Sequence, residues 1–219
     1  MTSPGDVRRV LGTVETGPFM PVRLTPDLFR KAAEMSARAF FADPMGAYWS
    51  PDESKRMARL TRFFHAMFKH AHGRGQTYTT PGDPDGVAVW FAPGGNHIPL
   101  WPMLMSGLLY APFTFGWTGL RNYLAMSAVD ERVQAQYMNS PHWYLSQLCT
   151  DPSKQRQGIA SALIRPVLDR ADESGVPCYL ETLTEKNVQF YSKRGFSVVW
   201  EGVMPRGGPR SWAMRREPR

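Results

Sequence analysis

The densest run of chemistry-bearing positions is Leu148-Cys149-Thr150-Asp151-Pro152-Ser153-Lys154-Gln155-Arg156-Gln157-Gly158-Ile159-Ala160-Ser161, which joins an apolar strand to a helix through a loop rich in backbone donors. A helix over 157–174 opens with free amide N–H groups and the positive end of its dipole. Gly158 and Ala160 carry too little side chain to keep a pyrophosphate off the backbone. The chemistry on offer is therefore the capture of an anionic cofactor by main-chain groups between Gln155 and Ser161. Spacing excludes two familiar phosphate loops, because neither Gly-x-x-x-x-Gly-Lys-Ser/Thr nor a three-glycine dinucleotide fingerprint is present.

Downstream, Gly175-Val176-Pro177 is a stop signal, Cys178-Tyr179-Leu180-Glu181-Thr182 reads as a short strand, and Asn187-Val188-Gln189-Phe190-Tyr191 opens a short helix ending at Arg194-Gly195-Phe196. Glu181 falls near the C-terminal end of its strand, on the face opposite Leu180. It is open to three roles: a base for an amine proton, an anion that binds a cationic acceptor, or a member of a structural ion pair.

Gln155-x-x-Gly158-x-Ala160 is similar to the Gln/Arg-x-x-Gly-x-Gly/Ala signature of the GNAT superfamily, the acyl-CoA-dependent N-acyltransferases. The run Leu180-Glu181-Thr182, Asn187, Phe190-Tyr191, Arg194-Gly195-Phe196 and Gly208-Pro209-Arg210-Ser211-Trp212 resembles the puromycin N-acetyltransferase branch, which modifies an antibiotic. The resemblance covers residues 142–217 well and the first half of the chain loosely. It departs at Arg156, where the family often has glycine; a left-handed backbone there would be strained for arginine, whose charge would lie near the phosphates.

The resemblance implies an α/β (α+β) GNAT fold, with a mixed, mostly antiparallel sheet, helices on both faces and a helical insertion. It implies acetyl-CoA as co-substrate and no metal. The pantetheine arm would run between Leu148-Cys149-Thr150 and the parallel strand 178–182, held by backbone groups, with Asn187 and Phe190 beside it. Cys149 then reads as a small buried filler. In the resembled reaction a neutral amine attacks the thioester directly, and Tyr191 stands at the family's general acid, a phenol being closer in acidity to a thiol than a carboxylic acid is. Asp43 and Tyr48 fall where related enzymes form part of the acceptor site, and Trp212 is a candidate to close it. The acceptor expected is a small-molecule amine. The alternatives are a protein N-terminus or lysine, and a non-catalytic CoA-binding module.

Elements must position these groups. The 219 residues suffice for one domain, read as a loose arm over 1–20 and a single unit over 21–219, with a helical insertion at 96–141 and the cofactor half at 142–217. Val22-Arg23-Leu24 reads as a strand, and a helix runs from about Pro26 to Phe41. Residues 54–72 place Met57, Leu60, Phe63, Phe64, Met67 and Phe68 on one apolar helical face. Pro81-Gly82-Asp83-Pro84-Asp85-Gly86 then predicts a hairpin between strands 76–80 and 87–91. Residues 98–123 are crowded with Leu, Met and aromatic side chains, but prolines and glycines break any span long enough for a membrane. Three readings compete: core helices first, the wall of an acceptor pocket close behind, and a membrane- or partner-facing patch last.

The net charge is +7, and from Lys154 onward 12 Lys/Arg stand against 7 Asp/Glu, so +5 of it lies in the cofactor half, where it favours an anionic partner. No basic helix, zinc pattern or RNA-strand signature points to nucleic acid. The five histidines show no metal pairing, and the two cysteines fall in buried strands, as in a reducing compartment. With no leader pattern in Met1–Asp6, the expected location is cytoplasmic, as a monomer or homodimer without membrane contact.

Overall fold

A computed structural model of the chain describes residues 19–94 and 111–219, with side chains from 115 onward in the second stretch. The expected arm, apart from Phe19 and Met20, and residues 96–110 of the expected insertion lie outside the described residues.

Seven strands form one sheet: β1 Val22–Arg23, β2 Gln76–Thr79, β3 Gly86–Phe91, β4 Trp143–Thr150, β5 Cys178–Thr182, β6 Ser197–Val203 and β7 Arg210–Arg216. Their order is β1-β2-β3-β4-β5-β7-β6, and every pairing is antiparallel except β4 with β5. Among the described residues six α-helices accompany it: α1 Phe29–Phe40, α2 Pro44–Trp49, α3 Glu53–Ala71, α4 Ala111–Tyr137, α5 Ile159–Ser174 and α6 Glu185–Ser192. This is the mixed, mostly antiparallel α/β architecture expected, with a helix where the second half of the insertion was read. Gly116 (φ 69°, ψ 166°) breaks α4 near its start.

The two faces of the sheet have separate cores. On one, Val87, Val89 and Phe91 meet the stripe Leu60, Phe63, Phe64, Met67 and Phe68 of α3 together with the small residues of α1; Met57, expected in that stripe, is instead exposed. On the other, Ala88, Trp90, Leu145, Leu180 and Met214 are covered by Ile159, Leu163, Ile164, Val167 and Ala171 of α5. Each buried phenylalanine or leucine in these stripes contributes roughly 2 kcal/mol, so the helices are held mainly by their apolar faces. A bidentate pair, Arg216 to Asp172 at 2.7 Å through both nitrogens, ties β7 to α5.

Two irregularities make room for a site. β4 and β5 pair only from Trp143↔Cys178 to Leu145↔Leu180. Beyond that, β4 stays with β3 and β5 stays with β7, so the parallel strands splay. The β3–β4 register also shifts, because Val89 faces Gln147 while Trp90 faces Leu145, leaving Ser146 as a bulge. The extra residue turns Gln147 and Cys149 onto the same face as Tyr144, where strict alternation would oppose them.

Candidate active site

Two cavities flank the splayed end of β4 and share Phe40 as a common wall. The first, of about 380 Å³, lies over the start of α5 and is lined by Leu148, Cys149, Thr150, residues 155–156 and 158–161, Asn187, Phe190, Tyr191 and Arg194.

The loop leading into it is pinned at its root. Asp151 accepts from the Ser153 backbone N–H at 3.0 Å and from Arg38 of α1 at 2.7 Å. Arg156 (φ 63°) and Gly158 (φ 82°) then both take left-handed backbone, and Gly158 is the N-cap of α5. The helix therefore starts at Ile159, two residues later than the sequence pattern placed it. Successive N–H groups around left-handed residues form an anion-binding concavity. From Arg156 to Ser161 none of these N–H groups donates to a backbone carbonyl among the described residues. Arg156, Lys186 and Arg194 supply positive charge around the same space. Arg194 stacks 3.5 Å over the Phe190 ring, donates to the Phe190 carbonyl at 2.6 Å and reaches the Ser161 hydroxyl. Orphan main-chain donors, small residues and cations are the set that a pyrophosphate-bearing cofactor requires.

α6 begins at Glu185, with Thr184 capping it through the Asn187 N–H, one turn half-complete before the expected start at Asn187. Its last turn delivers Tyr191, 6% exposed, into the cavity. Burial pushes the Tyr191 phenol up, against a smaller opposing pull from Arg194. It holds its proton across the physiological range, as a general acid must. The Cys149 thiol is also pushed up by burial and is tied to Ser36 at 3.4 Å and Gln147 at 3.3 Å, the state of a protonated filler rather than of a nucleophile.

The second cavity, of about 180 Å³, lies across the splay between α3, α4 and the strand ends. Part of its wall is aromatic, where Trp49, Phe63 and Tyr123 pack edge to face at 5.0–6.1 Å, and part is polar, with Ser127, Gln134, Ser146, Gln147, Thr182 and Ser211. At the strand side stands Glu181, with Asp130 of α4 beside it. Burial raises the Glu181 carboxyl to about 7, while the phenols of Tyr144 and Tyr179 hold it down in part. Asp130 is raised well above the carboxylate range by burial and by the negative charges of Glu181 and Glu131. A carboxylate that titrates near neutrality is matched to accept an amine proton.

The comparisons agree with this geometry. Residues 116–196 match the acetyltransferase (GNAT) family. An uncharacterized N-acetyltransferase of Schizosaccharomyces pombe is 27% identical over 174 residues, spanning 77% of this chain and 70% of its own. This chain is a GNAT-fold acetyltransferase. Two solved structures share the fold of this acetyltransferase. A histone acetyltransferase HPA2-related protein from Corynebacterium glutamicum has a TM-score of 0.64 at 22% identity, covering 91% of this chain and 96% of its own. Arylalkylamine N-acetyltransferase 2 of Aedes aegypti has a TM-score of 0.61 at 14% identity, covering 91% and 98%. The family is acyl-CoA-dependent, and the orphan donors of the cradle fit acetyl-CoA.

The acetyltransferase brings most of the expected residues together and separates others. Leu148, Cys149, Thr150, Gln155, Arg156, Gly158, Ile159, Ala160, Ser161, Asn187, Phe190 and Tyr191 share the cradle cavity, and Glu181 lies in the aromatic one. Gln157 lines neither and is exposed. Asp43, expected beside the acceptor, lies in the cradle cavity instead, because its carboxylate caps α2 by accepting from the Met45 N–H at 2.9 Å. Tyr48 lines neither cavity; its hydroxyl donates to the Pro205 carbonyl at 2.6 Å and anchors the β6–β7 turn. Trp212 also lines neither, since strand alternation turns Ser211 into the aromatic cavity while the Trp212 indole donates to Glu201 at 3.0 Å. Asp130, Tyr144, Gln147 and Ser211 were not singled out from the sequence. For Asp130 a signal existed: it shares the inward face of α4 with Met126, Val133 and Gln134, an acid set in an apolar stripe.

Among the described residues no helix is long and apolar enough to cross a membrane.

Proposed function

We propose that this acetyltransferase transfers the acetyl group of acetyl-CoA to the primary amine of a small molecule by direct attack. The observation that carries the reading is the small aromatic cavity with Glu181 at its inner end, set against the cradle cavity across the splay of β4 and β5. A cavity of about 180 Å³ suits a compact acceptor better than a peptide, which needs an open groove.

Acetyl-CoA, when bound, supplies an activated thioester carbonyl. The main-chain N–H groups from Arg156 to Ser161 would hold its phosphates, with Arg156, Lys186 and Arg194 adding charge. The ends of β4 and β5, separated beyond Leu145 and Leu180, leave main-chain groups free to orient an extended arm. Glu181 accepts a proton from the acceptor nitrogen, and Tyr191 Oη keeps a proton to give within the cradle cavity. Phe40, common to both cavities, would help exclude water from the junction. Because the sequence of residues 180–212 resembles the antibiotic-modifying branch, aminonucleosides are included among the acceptors to examine.

The test is thiol release from acetyl-CoA with a panel of small amines, aminonucleosides and peptides, comparing the parent with Tyr191→Phe. Turnover on a small amine is expected, with kcat lowered about 100-fold by Tyr191→Phe and the KM for acetyl-CoA little changed. Turnover on peptides alone would overturn the small-molecule acceptor, and full activity of Tyr191→Phe would remove Tyr191 from the acid role.

A further inference from the structure

Three oxygens that line the aromatic cavity are buried without a hydrogen-bond partner: Glu181 Oε1, Gln147 Oε1 and Ser211 Oγ. Gln147 and Ser211 are 5% and 0% exposed, so bulk water does not serve them. The Gln147 Nε2 donates to Ser36 at 3.1 Å and to Cys149, which leaves its carbonyl oxygen as the atom without a partner. Each buried orphan of this kind costs on the order of 1–3 kcal/mol, and three around one space call for an explanation. All three can accept a hydrogen bond. Two are acceptors only, and a carboxylate, Asp130, lines the same space. No lysine, arginine or histidine lines it among the described residues.

We infer that these groups form a receptor for a protonated primary amine on an apolar body, with Asp130 and Glu181 sharing its charge, Gln147 and Ser211 accepting its remaining N–H groups, and the aromatic wall taking its carbon skeleton. The inference rests on the proposed acetyl transfer and narrows its substrate class. An ammonium group carries three donors on one atom and no acceptor, the complement of the orphan set. Trp49, Phe63, Phe64 and Tyr123 provide apolar surface and ring faces for what lies behind the nitrogen.

Asp130 has a distinct part in this. Two carboxyl groups in one apolar space do not ionise together readily, so at neutral pH the Asp130–Glu181 pair retains a proton before the acceptor enters. The titratable groups facing the pair are Tyr123 and Glu131 from α4, Tyr144 from β4 and Tyr179 from β5. Among described lining residues, α1, α2, α3 and β7 present none that titrates. Arrival of the cation offsets the repulsion within the pair, and the retained proton leaves to solvent. The ammonium then gives one proton to Glu181: an N–H bond breaks, its electron pair stays on nitrogen as the attacking lone pair, and an O–H bond forms. Asp130 is thus a positioning and charge-sharing residue whose proton is exchanged for the substrate cation.

The test is titration calorimetry on the full chain without acetyl-CoA, using phenethylamine and isopentylamine as probes and 2-phenylethanol as the neutral counterpart. Runs at pH 7 in phosphate and in Tris give the protons exchanged on binding. The parent should bind at least one amine tenfold or more tighter than the alcohol and release a proton fraction as it does so. Asp130→Asn should weaken amine binding about tenfold and abolish the release, with affinity for the alcohol and for acetyl-CoA preserved as the sign of an intact fold. Equal affinity for alcohol and amine, no binding of either amine, or undiminished proton release in Asp130→Asn would each overturn the inference. An enzyme that acetylates small amines without this preference would refute the receptor alone. One that shows the preference yet liberates no thiol from acetyl-CoA would refute the acetyl transfer and leave the receptor standing.

Discussion

Of the two cavities beside β4, the cradle is walled chiefly by one contiguous stretch, residues 148–161, and by α6, whereas the aromatic cavity draws side chains from α1, α2, α3, α4, β4, β5 and β7. The cradle works through main-chain N–H groups, which every residue but proline supplies, so its identity lies in backbone conformation and in the small size of Gly158 and Ala160. The aromatic cavity works through side chains, so its identity lies in which residues stand where. A substitution in the cradle should therefore matter only when it alters backbone geometry or charge, while conservative exchanges in the aromatic cavity should alter chemistry.

The sharpest way to break this contrast is Gly158→Asp. Gly158 sits at φ 82°, a conformation that strains any side chain, and a carboxylate there would meet the phosphates at the helix terminus. Binding of acetyl-CoA, followed by calorimetry, should weaken about 1,000-fold, some 4 kcal/mol. By contrast Cys149→Ala, in the same cavity, should leave affinity within about threefold, because the expected contacts of β4 are main-chain ones. If Cys149→Ala proved as damaging as Gly158→Asp, the view of a backbone-built cradle would fail.

On the other side, Glu181→Gln preserves shape and removes the base. Its kcat should fall about 100-fold, and the acidic limb of the pH–rate profile, which in the parent rises through about pH 7, should disappear. The same raised carboxyl has a signature in stability. Because its folded pKa lies above the ordinary 4.5, it contributes stability that is complete below pH 4.5 and is lost as the pH climbs to about 7. Glu181→Gln should thus match the parent in melting temperature near pH 4.5 and exceed it by about 5 °C at pH 8, as scanning calorimetry would show. A variant that melts lower at pH 8 would mean that Glu181 anchors structure through its ionised form.

The contrast also explains what could be read from the chain. The cradle, β5 and α6 were legible because stop signals, alternation and the Gln155-x-x-Gly158-x-Ala160 spacing all lie within fifty residues. Errors there were of one or two positions: Gly158 is a cap, not a helical residue, and Thr184 caps α6 earlier than expected. Glu181 was legible from strand alternation, since Tyr179 and Glu181 face α4 while Cys178 and Leu180 face α5. Asp130 was legible only as an acid in the stripe of Met126 and Val133; its meaning depends on α4 lying across the splay, a long-range contact. Gln147 was hidden by the Ser146 bulge, which moves it to the face that simple alternation assigns to its neighbours. Tyr48 and Trp212 went astray for a related reason: aromatic residues near a site serve as scaffold as readily as wall, and only their partners, Pro205 and Glu201, decide which.

Arg156 stands where the two plans meet, a charged side chain which, with Lys186 and Arg194, supplements a site built mainly from backbone. At φ 63° it is a non-glycine residue in left-handed backbone, which costs about 1 kcal/mol or more. Arg156→Gly removes that strain but gives the unfolded chain more freedom, worth roughly 0.5–1 kcal/mol in the opposite sense, so stability should shift by less than about 1 kcal/mol. What the arginine returns is charge at the mouth of the cradle. A screened surface cation contributes up to about 1 kcal/mol, so acetyl-CoA binding by Arg156→Gly should weaken about threefold at low salt. The difference should vanish near 1 M salt, where the screening length falls to about 3 Å. Calorimetry of both proteins at two salt concentrations measures it. A deficit that persisted at high salt would show the Arg156 side chain making a direct contact, and the cradle would no longer be a site held by backbone alone.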